Sequence, residues 1–448
     1  SRFRERTRES LASRQQYSKA LHEATTASLD ALKAYSASIL ANYAGGITAG
    51  LPLAQRAVEL DPNFASAWAM LGLDYSGVGE YKKSVEAAKR AHLLRDRATD
   101  REQFIIDALY ERQVTGNLDR ARQIFEAMVN TYPRDIEGHG LLGGFATNGT
   151  GRYEEAIEHG TIVQKLDPAM GFGYANAAYA HLCLGQFDES LAVLQRANDA
   201  GLRFPDIARM RFTIAAIRRD AAMMQQLVES QREKPTAELT LMQAMLAVRD
   251  DRWDEARTLV QRAMALAQSA VPPQRETAGV YSGMLAIWEA TAGHASQARA
   301  ALARTLELSE GREAAYAAAL TLTHLRDPKA ATFTAKLAEQ FPEDTSVRYS
   351  YLPTLRGLQA LQSGDTAKAL SVLEDTRGNE FGMPALAFGM YSGWAYPSYV
   401  RAQAYRALGK KDEAVAELKR ILDHRGLVQT DPIIALVERD LTSLAGGK

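Results

Sequence analysis

The feature that most constrains this chain is a short phrase that keeps returning along its length. A glycine, or a substitute for it, is followed two positions on by a second residue, most often bulky, and three further by a small one. It reads Gly79-Tyr81-Ser84, Gly116-Leu118-Ala121, Gly151-Tyr153-Ala156, Gly185-Phe187-Ser190, Asp251-Trp253-Ala256, Gly293-Ala295-Ala298, Gly364-Thr366-Ala369 and Gly409-Lys411-Ala414. Degenerate copies sit around Ala222 and Ala330. With the small residue as a clock, the intervals are 37, 35, 34, 32, 34, 42, 32, 39 and 45 residues, clustering near the roughly 34-residue period of stacked helical hairpins. The glycine can take the left-handed conformation that ends a first helix. The bulky residue fills the gap between paired helices, and the small one lets the second helix come close.

Other residues keep the same time. Trp68, Leu71, Gly72 and Tyr75 fall at helical spacing, and Pro62, Pro133, Pro168 and Pro342 follow second helices, where a residue unable to continue a helix is expected. Together these residues resemble the tetratricopeptide repeat, with its Trp, Leu-Gly, Tyr, Ala, Phe, Ala and Pro at fixed offsets. The stretch from Ala65 to Asp96 carries Trp68, Leu71, Gly72, Tyr75, Gly79, Tyr81 and Ala91, and the next carries Gly116, Ala121, Phe125 and Pro133. The likeness spans roughly residues 29–422 with decaying quality, and the copies near 203–235 and 311–342 rest on spacing alone. What it implies is an all-α, right-handed superhelical solenoid of about ten helix-turn-helix pairs. The long interval at Gln268 to Arg275, with Pro272 and Pro273, marks a seam, so the expected organisation is a basic connecting helix over 1–28, an N-terminal array over 29–270 and a C-terminal array over 271–448 that ends in a cap. No run of strict alternation bounded by hairpin turns predicts a strand.

Finer phrases point to a narrower group. Leu11-Ala-Ser-Arg, Glu23 to Tyr35, Leu94 to Glu102, and Ile421 to Gly426 followed by Asp431-Pro432 resemble the repeat-bearing C-terminal region of bacterial membrane-anchored Ser/Thr protein kinases and related winged-helix regulators. That resemblance implies a sensing or protein-binding region, part of a larger signalling protein, with a kinase or DNA-binding domain upstream. It leaves two compartments open: the cytoplasm, or the periplasmic part of a membrane-anchored parent. The kinase itself is not in this chain: glycine-rich loop, Ala-x-Lys strand, His-Arg-Asp loop and Asp-Phe-Gly do not occur in order. His424-Arg425-Gly426 shares two letters with a catalytic loop and reads as a loop after the last helix.

Composition bears on what the chain can bind. Of 448 residues, 53 are Lys or Arg and 54 Asp or Glu, a net charge of -1, which gives no basic surface for nucleic acid. No stretch approaches the roughly 20 apolar residues of a membrane span, and the chain is expected to be soluble. It begins at Ser1 without methionine and has one cysteine, Cys183, so it reads as a processed or excised piece without an intrachain disulfide. His-Glu-x-x-His, the phosphate-binding glycine loop and Gly-x-Ser-x-Gly are all absent. The acidic pairs Glu154-Glu155, Asp188-Glu189, Asp254-Glu255 and Asp412-Glu413 recur where second helices start, and there they complement the helix dipole. His139 and His159 fall in one repeat, where they can meet across its two helices. No cofactor, metal or catalytic residue is assigned.

What remains is surface. In the tetratricopeptide family the second, fifth, ninth and twelfth places of each first helix reach the groove. Carried over, they give as groove candidates Leu73, Tyr110, Phe172, Tyr179, Leu182, Leu241, Met245, Ile287, Tyr396, Tyr399 and Arg406. The expected ligand is a peptide or protein segment with apolar anchors. The family's clamp for C-terminal carboxylates needs Lys and Asn together, and Asn176 stands without its companions. An aromatic insertion over 378–396 holds Phe381, Phe388, Tyr391 and Trp394 among glycines and prolines; it either caps the last repeats or walls a binding site. Two other readings stay open: an enzyme whose site is hidden in a helical scaffold, and the effector-sensing part of a transcription regulator.

Overall fold

The computed structural model describes residues 26–146, 150–202, 204, 206–380, 382 and 395–446, without the side chains of 43–45, 145 and 146. The aromatic residues Phe381, Phe388, Tyr391 and Trp394, and nearly all of the expected connecting helix over 1–28, lie outside the described residues. The described residues form helices and no strand.

The helices come in pairs: α1 (Leu29–Gly45) with α2 (Ile47–Leu60), α3 (Ala65–Gly77) with α4 (Tyr81–Leu93), α5 (Asp100–Tyr110) with α6 (Leu118–Thr131), α7 (Ile136–Leu141) with α8 (Tyr153–Leu166), and α9 (Gly171–Cys183) with α10 (Phe187–Asp199). They continue as α11 (Asp206–Arg218) with α12 (Ala221–Ser230), α13 (Ala237–Arg249) with α14 (Trp253–Ser269), α15 (Arg275–Thr291) with α16 (Ala295–Leu308), and α17 (Arg312–His324) with α18 (Ala330–Gln340). The last pairs are α19 (Leu352–Gln362) with α20 (Thr366–Glu374) and α21 (Ala395–Ala407) with α22 (Lys411–Asp423). Two helices follow, α23 (Arg425–Val428) and α24 (Ile433–Gly446). Among the described residues there are therefore eleven pairs where the repeat clock gives about ten, because α1 and α2 precede the first clock residue. His424-Arg425-Gly426 is not a loop: Arg425 opens α23.

The turn chemistry is as the spacing demands. Gly79, Gly116, Gly151, Gly185, Gly293, Gly364 and Gly409 all have φ between 72° and 85°, the left-handed region that closes a helix at no steric cost when the residue is glycine. Where the phrase is degenerate, the same slot holds Arg219, Asp251 and Arg326 at φ 58°, 60° and 52°. The clock residues Ala121, Ala156, Ala256, Ala298, Ala369 and Ala414 are essentially inaccessible. Ser84 is too, and its Oγ donates to the carbonyl of Gly72 at 2.9 Å, tying the second helix to the first. Gly72 is tightly enclosed: a Cβ would lie 3.1–3.3 Å from Gln113 Oε1, the Ala88 nitrogen and the Ser84 carbonyl, so its neighbours would have to give by a few tenths of an ångström. The copy around Ala222 departs from the expected register. Ala222 is exposed, and Met224, five residues after Arg219, packs instead against Phe212, Ala216 and Leu239.

The chain forms two compact units, residues 1–181 with 188–207, and residues 182–187 with 208–448. At the long loop after α14 the Gln274 amide donates to the Ala267 carbonyl at 2.9 Å, and α14 packs on α15. In the first unit, Thr99 and Glu102 cap α5 reciprocally: the Thr99 Oγ1 accepts from the Glu102 amide, and the Glu102 carboxylate accepts from the Thr99 amide at 2.8 Å. Fourteen of the seventeen residues of α15 are buried, against four of eleven in α5, so α15 acts as core.

Arg326 has a left-handed backbone at the end of α17, where its amide donates to the Thr323 carbonyl at 3.0 Å. Arg326→Gly is expected to raise stability by about 0.5–1 kcal/mol, read by urea denaturation, since a non-glycine residue is disfavoured there. Gly72→Leu is expected to lower it by about 1–3 kcal/mol through overpacking.

Candidate functional site

On the first unit, α3, α5 and the start of α7 frame a shallow hollow open to solvent, with an inner volume of about 20 Å³. Its floor is apolar: Ala69, Met70, Leu73, Ile105, Ile106 and Leu109, with Tyr35 of α1 at one side. Leu73 is half-buried, whereas Ile106 and Leu109 behind it are buried. The rim carries Ser66, Arg101, Glu102 and Glu137. Arg101 bridges two repeats, its Nε 2.5 Å and its Nη2 3.0 Å from the Asp135 carboxylate, with Nη2 2.8 Å from Glu137 Oε2. Burial works against its charge, but Glu137 and Asp135 outweigh that and hold the guanidinium above its usual range. Asp135 also caps α7 by accepting from the Gly138 amide at 2.8 Å. The Glu102 carboxylate, already held by Thr99, accepts from Ser66 Oγ at 2.7 Å. The rim charges are thus committed to fixing the stack of helices, and the hollow offers a ligand a rigid apolar floor.

The other groove candidates are placed differently. In the first unit Tyr110 stacks on His92 with ring centroids 4.1 Å apart, and Tyr179 is buried. Phe172 fills the space beside Gly140, where a Cβ would come within 2.2 Å of its ring. Asn176 donates to the Gly140 carbonyl at 2.9 Å. In the second unit Leu182, Leu241, Met245, Ile287 and Tyr396 are buried, and Tyr399 and Arg406 lie against the chain's own last helix. Thr430 donates to the Met245 sulfur at 3.4 Å, so the C-terminal segment reaches back to α13 as well.

Titratable groups cluster in several places that sequence reading did not single out. Fully buried Arg401 meets Glu380 and Glu417, and Glu417 also takes Arg377 at 3.1 Å. Buried Arg312 lies 2.7 Å from Asp344 and 2.8 Å from Glu313, and Glu313 accepts from the Tyr351 hydroxyl at 2.7 Å. Glu289 takes Arg257 at 2.7 Å and His294 at 2.6 Å. Each cluster sews one helix pair to the next. His139 and His159 do meet, Nδ1 to Nδ1 at 2.9 Å, with His139 Nε2 facing the Pro133 carbonyl. Burial, and then His139, hold His159 below the ordinary imidazole range. Among the described residues no group of three or more His, Cys, Asp or Glu is arranged to hold a metal ion, and no helix is long and apolar enough to cross a membrane.

Family models described as tetratricopeptide repeat match residues 172–196, within α9 and α10, and 398–423, within α21 and α22. The chain therefore carries tetratricopeptide repeats at those places. Among solved structures it is similar to a tetratricopeptide repeat protein from Parabacteroides merdae, at 12% identity over 55% of this chain and 97% of that one with a TM-score of 0.37. It is similar also to yeast Tom70, at 13% identity over 88% and 92% with a TM-score of 0.46, and to the APC/C hetero-tetramer Cut9-Hcn1, at 12% over 92% and 90% with a TM-score of 0.37. No curated protein matches it.

Two buried groups set opposite pH dependences. Burial pushes His324 down to about 4, and its Nε2 has no hydrogen-bond partner. A folded histidine below its unfolded pKa contributes stability above about 6.5 that is lost as pH falls towards 4. Burial pushes Asp74 up to about 8, against the Asn42 amide that donates to it at 2.8 Å. That site favours the protonated acid, so its contribution is present at low pH and lost as pH rises through 8. Denaturant titrations across pH are expected to show Asp74→Asn gaining on the native chain from pH 4 to 8, and His324→Leu gaining on it from pH 6.5 down to 4. Parallel curves would contradict both assignments.

Proposed function

We propose that this chain is a non-catalytic protein-interaction module, and that its first unit takes an apolar segment of a partner protein in the hollow between α3 and α5. The observation that carries the reading is the half-buried Leu73 at the centre of an open apolar floor whose surrounding charges are already paired within the chain. An anchor side chain seated there exchanges water for apolar contact without stripping any charge of its partner. Tetratricopeptide repeats at 172–196 and 398–423 support the same class of function. A place as the regulatory part of a larger signalling protein is supported by the likeness of Leu94 to Glu102 and Ile421 to Gly426 to repeat regions of membrane-anchored kinases and winged-helix regulators. The complete reading frame of the gene tests that part: a kinase or winged helix upstream bears it, and a frame holding neither overturns it.

The groove reading is tested with displayed peptides selected on the full chain. Binders are expected to lose about 2 kcal/mol or more of affinity on Leu73→Asp at a temperature where the variant keeps the native helical circular dichroism. Selected peptides that bind the variant as they bind the native chain would place the site elsewhere.

A further inference from the structure

The second unit has a different kind of surface. Tyr399, Gln403 and Arg406 stand three and four residues apart on α21, one face of the helix. Their donors converge on a single carboxylate, that of Asp440 in α24: Tyr399 hydroxyl at 2.9 Å, Gln403 Nε2 at 2.6 Å and Arg406 Nη1 at 3.4 Å. A phenol, an amide and a guanidinium on one acceptor-only group form a charge-assisted set selective for an acid.

The occupant is lightly held. Ile433, Ile434 and Val437 are the buried residues of α24, and from Glu438 to Gly446 none is buried. Its outer ion pairs are Glu438 with Arg425 at 2.8 Å and with Arg219 at 3.4 Å, and Asp440 with Arg406 at 3.4 Å; the arginine side chains are 31%, 70% and 44% exposed, and pairs so exposed contribute little. Gln429, just before it, has φ 56° and a buried Nε2 without a hydrogen-bond partner. A segment with few buried contacts opens at a fraction of the cost of global unfolding.

We propose that Tyr399, Gln403 and Arg406 form a receiving stripe for an acidic amphipathic helix of a partner protein, and that α24, through Asp440, occupies that stripe in the free chain. The partner presents what α24 presents: an apolar face beside one carboxylate, packed chiefly on α22 with the carboxylate reaching the donors of α21. The helix held in cis lowers the partner's apparent affinity by the fraction of time the stripe is covered. This inference is independent of the hollow on the first unit.

The test uses the full chain and, as probe, a fluorescein-labelled synthetic peptide with the sequence of residues 432–446, followed by anisotropy. Unseating the cis helix with Ile434→Asp and Val437→Asp together is expected to tighten binding of the probe at least tenfold over the native chain. Asp440→Ala in the probe, or Gln403→Ala in the chain, is expected to weaken it about tenfold. Equal binding by native and unseated chains, or no binding by either, overturns the proposal. So does loss of the cooperative melting transition in the double variant, which would make α24 part of the core. Hydrogen exchange on the unmodified chain gives a second reading: amides of 438–446 are expected to exchange at least tenfold faster than those of α21, and equal protection overturns the proposal.

Discussion

The close approach of paired helices at one small residue is the contact on which the rest depends. Ser84 bonded to the carbonyl of Gly72, and the inaccessible alanines at the same place in later repeats, set how near the second helix lies to the first. That distance fixes where the bulky residue two positions after the turn can go, and hence how the next pair stacks. A left-handed residue before each second helix delivers the chain at the right angle. Changing either element would not remove one contact; it would shift every later helix of the array.

That is why the repeat architecture was readable. Steric rules at a turn and a close contact act within six residues, and they leave marks in sequence. The marks fade where another residue tolerates the same geometry. Arg219 and Arg326 adopt the glycine conformation without being glycine, and Met224 takes the contact that Ala222 was expected to make. The meeting of His139 and His159 followed from repeat position alone.

The candidate groove was less legible, for a different physical reason. Repeat position says which side chains of a first helix face inwards, but exposure depends on what else arrives there. Leu73 opens onto a hollow, whereas Met245, at an equivalent place, lies under Thr430, 185 residues away in sequence. The buried charge sets are invisible for the same reason. Glu380, Arg401 and Glu417 look like ordinary surface residues in the sequence, and only the packing of the segment after α20 with α21 and α22 brings them together. Such groups are costly to bury singly and tolerable only as a mutually satisfied set.

The return of the C-terminal segment to α13 changes how the second unit must be made. An open array can fold one repeat at a time as it leaves the ribosome, since each pair leans only on the one before it. Here Val428, Thr430 and Asp431 are all buried, and the contact of Thr430 with Met245 joins residues made 185 positions apart. Contacts of such long sequence separation are the slow ones to form. The apolar inner side of α13 therefore stays uncovered until the segment around Thr430 has been made, which makes the interval between synthesis of α13 and of that segment the period in which this unit is most open to misassociation.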